Sequence, residues 1–286
     1  MTRKKTTGSH GDRVRRPPLE RSGRARKRFG QHFLHDPTVL ERIVDEVHPS
    51  SDDRLVEIGP GRGALTRLLL EAGGAALDAI EIDRDLVALL RADIADYPRF
   101  VVHEVDALKF DFTRLARERG GKLRIVGNLP YNISTPLLFH LLQHGDAIQD
   151  IHVMLQREVV DRMAAQPDEA EYGRLTVMLT PWVTVERLFD VGPGAFSPPP
   201  RVWSAVARLT VRTEPAFAIS PHFSAIVAAA FSHRRKTLRN ALRGLVTLEQ
   251  IERCGLDPGA RPETFAPYAF NEIARALDGD TSVANG

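Results

Sequence analysis

Short apolar runs alternate with segments of helical periodicity through the middle of the chain. Five runs have the length and composition of buried strands, and apolar residues at helical spacing follow each of them. This alternation predicts an α/β fold, a mainly parallel sheet with helices on both faces. The predicted strands are 55–58, 77–82, 100–105, 123–126 and 151–155, and the predicted helices are 64–71, 86–94, 112–119, 133–142 and 159–165.

Two further predictions concern the flanks of this alternating region. Asp36 followed by Pro37 is typical of a helix start, and apolar residues at helical spacing continue to position 47. Segments 183–191 and 204–211 are rich in β-forming residues and have no clear helix between them. They predict a hairpin of antiparallel character that closes the sheet.

The pattern changes near residue 213, where strand-like runs end. Helical periodicity then predicts helices over 223–245, 248–254 and 265–277, which we interpret as a small all-helical second domain. The predicted organisation is a basic arm at 1–28, a main α/β domain at 29–212, a helical domain at 213–280 and a frayed tail at 281–286.

Composition is that of an ordinary globular protein. Hydrophobic residues make up 43% and charged residues 27% of the 286 residues. No apolar run approaches the ~20 residues that a membrane span needs. The single cysteine, Cys254, excludes an internal disulfide and a cysteine-rich metal site, and is typical of a reducing compartment. We therefore predict a cytoplasmic protein without membrane or metal, and a monomer by default.

Positive charge is concentrated at the N-terminus. The arm 1–28 carries eleven Lys and Arg residues against two acidic ones, so its net charge of +9 leaves −7 for the remainder of a chain of net +2. Without apolar periodicity the arm is expected to be disordered and attracted to polyanions. A tail that only increases solubility would have the same composition. A role in binding nucleic acid and a solvating role therefore both stay open.

Three strand ends carry residues suited to one cofactor. The turn EIGPGRG at 57–63 follows the first strand, and its glycines let the backbone approach a ligand closely. Glu81 ends the second strand, where a carboxylate can accept both hydroxyls of a ribose, and Asp106 follows the third, where it can accept from an adenine amino group. The acidic Glu57 suits a ligand with an ammonium group. Together these residues predict S-adenosylmethionine rather than NAD, whereas Glu81 and Asp106 taken singly could be helix caps.

The fourth strand ends in Asn128-Leu129-Pro130-Tyr131. This tetrapeptide combines a side-chain amide oxygen, a backbone carbonyl before a proline and an aromatic face. These groups can hold a flat base with an exocyclic amine. Alone, the tetrapeptide could equally be an ordinary loop in which Pro130 stiffens the turn and Tyr131 covers the core.

Taken together, these motifs make the chain resemble the ribosomal RNA adenine dimethyltransferase family, and within it the small-subunit branch. The resemblance implies a Rossmann-like class I S-adenosylmethionine-dependent methyltransferase that dimethylates two neighbouring adenosines near the 3′ end of 16S rRNA, in the small ribosomal subunit or its precursor. The chain departs from the usual pattern at His32, commonly Asn, and at Trp203, commonly Asp. The matching segments are GQHFL at 30–34, EIGPGRG at 57–63, EID at 81–83, DA at 106–107, NLPYNIS at 128–134, QREV at 156–159, YGRL at 172–175, FSPPPRV at 196–202 and RRKT at 234–237.

With this resemblance the candidate residues acquire roles. Asn128 and the Leu129 carbonyl are predicted to accept the two hydrogens of adenosine N6, in a turn fixed by Pro130. Tyr131 is predicted to stack on the target adenine, and Phe196 either covers the other face of that base or belongs to the core. The predicted cofactor contacts are Gln31, His32, Leu34, Gly59, Gly61, Glu81, Asp106, Ala107 and Asn128.

RNA binding is predicted for the helical domain. On the helix expected over 223–245, Arg235, Arg239 and Arg243 repeat every four residues and would form a cationic row, beside Arg234 and Lys236. A solvated helix face would show the same spacing. Two other functions stay open, a large-subunit (23S) dimethylase of the antibiotic-resistance type and an assembly factor in which methylation is secondary.

Overall fold

A computed structural model describes residues 32–73 and 75–281 of the chain. The predictions for the arm 1–28, for Gln31 and for the last residues, 282–286, lie outside these ranges. The described ranges contain nine strands. They are β1 (Phe33–Leu34), β2 (Arg54–Ile58), β3 (Ala76–Glu81), β4 (Phe100–Glu104), β5 (Leu123–Asn128), β6 (Ile148–Gln156), β7 (Val183–Val191), β8 (Phe196–Ser197) and β9 (Ser204–Val211).

Seven of these strands form one sheet in the order β4-β3-β2-β5-β6-β9-β7. The first five are parallel, whereas β9 runs antiparallel between β6 and β7. The ladder of β7 and β9 runs from the pair Val183 and Val211 to the pair Val191 and Ser204. The parallel sheet and the antiparallel hairpin predicted from sequence are both confirmed. Because the parallel strands share one direction, the ends of β2, β3, β4 and β5 meet at one edge.

Helices cover both faces of the sheet and form the C-terminal part of the described chain. Asp36 caps the first helix as predicted, because its carboxylate accepts from the amides of Thr38 and Val39 at 2.9 and 3.2 Å. The helices are α1 (Pro37–Val47), α2 (Ala64–Gly73), α3 (Arg84–Asp93), α4 (Phe112–Arg119), α5 (Ser134–Gln143), α6 (Arg157–Ala164), α7 (Arg174–Leu179), α8 (Phe223–Ala230), α9 (Leu238–Ala241), α10 (Leu248–Arg253) and α11 (Pro267–Thr281).

Two apolar clusters lie on opposite faces of the sheet. One face packs against α4, α5 and α6, with Phe112 and Leu137 fully buried. The other face packs against α1, α2 and α3, and this cluster also takes in Leu34 and Phe196 from the short ribbon of β1 and β8. The ribbon therefore belongs to the main core, although its strands are only two residues long.

The single helix predicted over 223–245 is wrong. The structure has α8 ending at Ala230, a turn, and the short α9. Two distant carbonyls explain the break, since the amides of Leu238 and Arg239 donate to Ala260 and Pro258 at 2.8 and 3.1 Å. Ser232 adds a side-chain bond back to the Ala229 carbonyl at 2.7 Å, which competes with helix continuation.

A third cluster forms the core of the helical part. Phe223, Val227, Leu238 and Phe270 are buried in it, together with Tyr172 from the segment before α7. Leu245, the last residue of the helix predicted over 223–245, is 47% exposed and lies outside this core. The boundary at residue 212 stays a prediction, since this cluster draws on both sides of it. None of the helices in the described ranges is long and apolar enough to cross a membrane.

Candidate active site

The glycine turn after β2 is held against the end of β3. The amide of Gly59 donates to the Ile80 carbonyl at 3.0 Å, and Gly59 and Gly61 have φ angles of +70° and +58°, which side-chain-bearing residues rarely adopt. A Cβ on Gly61 would lie 3.0 Å from the Phe33 ring. Glycine is therefore needed for both the backbone conformation and the close approach of β1.

Glu81 is anchored by backbone amides. Its Oε1 accepts from the amides of Ile82 and Asp83, both at 2.9 Å, and its Oε2 accepts weakly from Gly61 at 3.4 Å. Burial is the main cause that raises the pKa of this carboxyl, and the amide bonds oppose it. The cap of α3 is Asp83, whose carboxylate accepts from Asp85 at 3.0 Å. The helix-cap alternative for Glu81 is therefore not what the structure shows.

Glu57 is the most strongly perturbed acid of this region. Its side chain is 2% exposed and accepts a bond from the Thr66 hydroxyl at 2.6 Å. Burial raises its pKa to about 7, opposed by the Thr66 bond and reinforced by the nearby charge of Glu81. A carboxyl of this kind is poised to ionise when a positive charge approaches it.

Asp106 and Ala107 open a short 3₁₀ turn after β4. One oxygen of the Asp106 side chain accepts from the Leu108 amide at 3.0 Å, so this residue does cap a turn. Both residues also line the cavity described below. The cap and the predicted cofactor contact are compatible, since a carboxylate has a second oxygen.

Asn128 has its amide oriented by a neighbouring loop. Its Nδ2 donates to the His32 carbonyl at 3.0 Å. A carbonyl can only accept, so the nitrogen must face His32 and the side-chain oxygen must face the other way. A Cβ built on Gly59 would lie 3.7 Å from the Asn128 carbonyl oxygen, so the two strand-end loops are neighbours. The backbone of Asn128 therefore lies beside the glycine turn.

Leu129 and Pro130, which follow Asn128, lie at the same edge of the sheet. The Leu129 side chain is buried in the core at 1% exposure, and its amide donates to the Met154 carbonyl at 3.2 Å. Leu129 and Pro130 both line the cavity. The backbone of Leu129 is thus held by β6 on its donor side, and Pro130 restricts the turn that follows.

Tyr131 is held by two side-chain contacts. Its hydroxyl hydrogen-bonds to the Ser204 hydroxyl at 2.7 Å, and its ring stacks on the His32 ring with centroids 5.9 Å apart and planes 29° apart. His32 is itself tied by Nδ1 to the Pro198 carbonyl at 2.8 Å. Sequence reasoning missed Ser204 and Pro198, because both lie far along the chain and neither is unusual in its own context.

Phe196 does not occupy the predicted stacking position. It is 3% exposed and packs within the cluster on the α1, α2 and α3 face, paired across the ribbon with Leu34. Of the two roles considered for Phe196, the structure supports the core residue. The physical reason is that side chains alternate along a strand, and Ser197, not Phe196, is the exposed member that lines the cavity.

One cavity of about 370 Å³ joins these strand ends. Among the described residues it brings together almost the whole predicted cofactor and base site, with Phe196 outside it. Ile82, which sequence reasoning missed, is on its wall although 47% of its surface is exposed. The predicted residues that line the cavity are His32, Leu34, Gly59, Gly61, Glu81, Asp106, Ala107, Asn128, Leu129, Pro130 and Tyr131. Which of them contact a ligand stays a prediction.

The five cations predicted to bind RNA lie elsewhere, on the turn between α8 and α9 and its continuation. The helix face predicted to carry Arg235, Arg239 and Arg243 does not exist, because the helix is interrupted. All five are exposed, and in the described part of the chain none of them forms an ion pair. Arg234 donates to the Ala170 carbonyl at 3.0 Å and Arg243 to Asn240 at 2.8 Å. We call residues 234–243 the cationic turn.

The strand order, the glycine turn at the first strand end and the acidic residues at the next two define a Rossmann-like class I methyltransferase fold, as predicted. Two solved structures share it. The 23S rRNA methyltransferase ErmE covers 86% of this chain and 99% of its own at a TM-score of 0.68 and 25% identity. A dimethyladenosine transferase from Plasmodium falciparum covers 87% and 98% at a TM-score of 0.75 and 24% identity.

Sequence comparison narrows the class further. The family model described as ribosomal RNA adenine dimethylase matches residues 22–276. A ribosomal RNA small subunit methyltransferase A of Hahella chejuensis is 54% identical over 252 residues, 87% of this chain and 92% of its own. The protein of the same name from Pseudomonas aeruginosa is 54% identical over 261 residues, 89% and 95%. The chain therefore belongs to the ribosomal RNA adenine dimethylase family, and the resemblance seen in its motifs is confirmed.

Proposed function

We propose that this enzyme uses S-adenosylmethionine to dimethylate N6 of two adjacent adenosines near the 3′ end of 16S rRNA, within the small ribosomal subunit or its precursor, as a step of subunit biogenesis. The observation that carries the proposal is the Asn128 amide, which is oriented by His32 with its oxygen turned away from that carbonyl. The two relatives at 54% identity, named for the small subunit, support that substrate over the large subunit.

The cavity fits the proposed cofactor in size and in donor chemistry. A volume of about 370 Å³ lies within the range of small-molecule sites. Gly59 and Gly61 present backbone without side chains at the cavity wall, and Glu81 presents a carboxylate fixed by backbone amides. Glu57, Glu81 and Asp106 are the candidates to hold an ammonium, a ribose and an adenine amine in turn.

When bound, S-adenosylmethionine supplies an electrophilic methyl group on a sulfonium. The chain's contribution is to position the attacking nitrogen. Adenosine N6 is a poor nucleophile because its lone pair is delocalised into the ring. The Asn128 side-chain oxygen and the Leu129 carbonyl accept its two hydrogens and thereby turn the lone pair towards the methyl carbon. These acceptors also favour the positive charge that grows on N6 during transfer. That charge makes the N6 hydrogens acidic, and one of them leaves as a proton to solvent after transfer, so no strong base is required.

Tyr131 provides the stacking face for the base. Its ring is kept in place by Ser204 and by the His32 ring, so little side-chain freedom is lost when a base binds. A base stacked on an aromatic ring gains ~1–3 kcal/mol, which contributes to extruding the adenosine from its own stack. Because His32 already covers part of the ring in this structure, the base takes the position of His32 or the opposite face.

The cationic turn supports binding of the surrounding RNA. Its exposed charges have no acidic partner among the described residues, so they remain available to phosphates. The interrupted helix spreads them over a turn instead of a straight row. Such a surface suits a folded RNA better than one straight strand, and it predicts affinity that falls steeply with salt.

The test is mass spectrometry of the nucleosides of 16S rRNA after incubation of unmethylated small subunits with the protein and S-adenosylmethionine. We expect dimethyladenosine with the wild type and neither mono- nor dimethyladenosine with Asn128→Ala. Thr135→Ala, on the first turn of α5, is a matched control outside the cavity lining. Full dimethylation by Asn128→Ala, or transfer to large subunits in preference, would contradict the proposal.

A further inference from the structure

The segment PPPRVW at 198–203, which we call the proline loop, joins the ribbon of β1 and β8 to β9. Both of its ends are bonded to the active site. At one end the Pro198 carbonyl holds the His32 ring at 2.8 Å. At the other, Ser204, the next residue after the loop, holds the Tyr131 hydroxyl at 2.7 Å. The loop is therefore part of the frame around the base position.

The outer half of this loop is unusually exposed for its composition. Trp203 is 50% exposed and Val202 is 44% exposed, and Arg201 beside them is also exposed. Arg201 forms no ion pair within the described ranges. An indole and an aliphatic side chain left open to water next to an unpaired guanidinium have the chemistry of a surface that takes a nucleobase and its phosphate.

Trp203 is also fixed in position. Its carbonyl accepts from the Arg157 amide at 2.9 Å, at the start of α6. Its six-membered ring lies against Gly192, since a Cβ built there would be 3.6 to 3.9 Å from three of its atoms. The outer end of the ring therefore lies near Gly192, and half of the residue stays exposed to solvent. A preorganised aromatic surface loses little entropy when it binds.

We infer that Trp203 stacks on an unpaired RNA base that flanks the target adenosine, with Arg201 placed for its phosphate. The inference rests on the proposed function and deepens it, because it assigns a second base position outside the catalytic cavity. Trp203 directly precedes Ser204, whose hydroxyl bonds to Tyr131, so the backbone places Trp203 one residue away from a group that holds the base position. One aromatic ring then holds the reacting base, and a second holds a neighbour of that base in the same strand.

The chain contains its own control in Trp182. It is 40% exposed, close to the exposure of Trp203. The two tryptophans lie at opposite ends of the antiparallel ladder of β7 and β9. Trp182 is at the end where Val183 pairs with Val211, and Trp203 is at the end where Ser204 pairs with Val191. Eight residues of strand separate the two ends, roughly 25 Å. A general effect of removing an exposed tryptophan would appear in both Trp182→Ala and Trp203→Ala. Loss of base stacking would appear only in Trp203→Ala.

The experiment measures methyl transfer to unmethylated small subunits by the full chain with Trp203→Ala, Trp203→Phe, Trp203→Leu and Trp182→Ala. We expect Trp203→Ala to raise KM for the subunit roughly 5- to 150-fold, the ratio that corresponds to loss of one base stack. Trp203→Phe should recover most of this loss and Trp203→Leu should not. Affinity for S-adenosylmethionine and the thermal midpoint should stay those of the wild type, and Trp182→Ala should leave KM unchanged.

Three outcomes would overturn the inference. They are an unchanged KM in Trp203→Ala, an equal recovery by Leu and Phe, and a loss of cofactor affinity or thermal stability that accounts for the change. Failure of the proposed function has a different result, because the wild type itself would then transfer no methyl to small subunits.

Discussion

Glu57 should make cofactor binding depend on pH. Its pKa is raised to about 7 by burial, so near neutral pH about half of the free protein carries a neutral carboxyl there. A ligand ammonium beside it favours the ionised form and lowers this pKa on binding. If the pKa returns close to its ordinary value of 4.5, the affinity for S-adenosylmethionine falls about 10-fold as pH drops from 8 to 6.

The assay is isothermal titration of the wild type and Glu57→Gln between pH 6 and 8, in buffers of different ionisation enthalpy. The wild type should release close to one proton per ligand at pH 6 and little at pH 8. Glu57→Gln should bind more weakly at pH 8 and lose the corresponding part of the pH dependence. Titration of the ligand's own amine is common to both proteins, so their difference isolates Glu57.

Stability provides a second readout of the same group. A carboxyl with a raised folded pKa keeps its proton in the folded state while the unfolded chain ionises. It therefore costs stability as pH rises from 4.5 towards 7. Relative to Glu57→Gln, the wild type should lose up to about 3 kcal/mol of unfolding free energy between pH 4.5 and 8. A difference between the two proteins that is constant with pH, in both binding and stability, would refute this account of Glu57.

Three other predictions follow from the site. Asn128→Ala should lower kcat for both methyl transfers on the order of 10²–10³-fold, and it should also raise the KM for S-adenosylmethionine because Asn128 is a predicted cofactor contact, measured by steady-state transfer of labelled methyl. Tyr131→Ala should mainly raise KM for the subunit, and Tyr131→Phe, which keeps the ring, should be much milder; equal defects would argue against stacking. Replacing Arg235, Lys236 and Arg239 by Ala should weaken RNA binding and reduce the slope of log K against log salt by up to about three, measured by filter binding over a salt series.

Most of the parallel sheet could be predicted because each strand and helix has a recognisable apolar pattern within its own segment. Buried strands are short apolar runs, and the helices between them show a 3.6-residue period. The same reasoning failed at 223–245. There the periodicity is continuous, but the amides of Leu238 and Arg239 bond to carbonyls of Pro258 and Ala260 some twenty residues further on. A pattern within one segment contains no information about such distant partners.

The site divides in the same way. Residues at strand ends, such as Glu81 and Asn128, could be predicted because parallel strands bring their carboxyl ends to one edge. The position of Phe196 could not be predicted, because a strand of two residues is too short to show which side chain faces the core. The hydrogen-bond partners of two site residues could not be predicted either, because they are distant in sequence. Ser204 lies 73 residues from Tyr131, and Pro198 lies 166 residues from His32.

The most direct test of the central claim is transfer of labelled methyl from S-adenosylmethionine to unmethylated small subunits, to large subunits and to protein-free 16S rRNA. Asn128→Ala serves as the inactive control in each case. The proposed function predicts incorporation into the small subunit, approaching four methyl groups per particle for two dimethylated adenosines, and little into the others. Preferential labelling of large subunits, or equal labelling by Asn128→Ala, would contradict it.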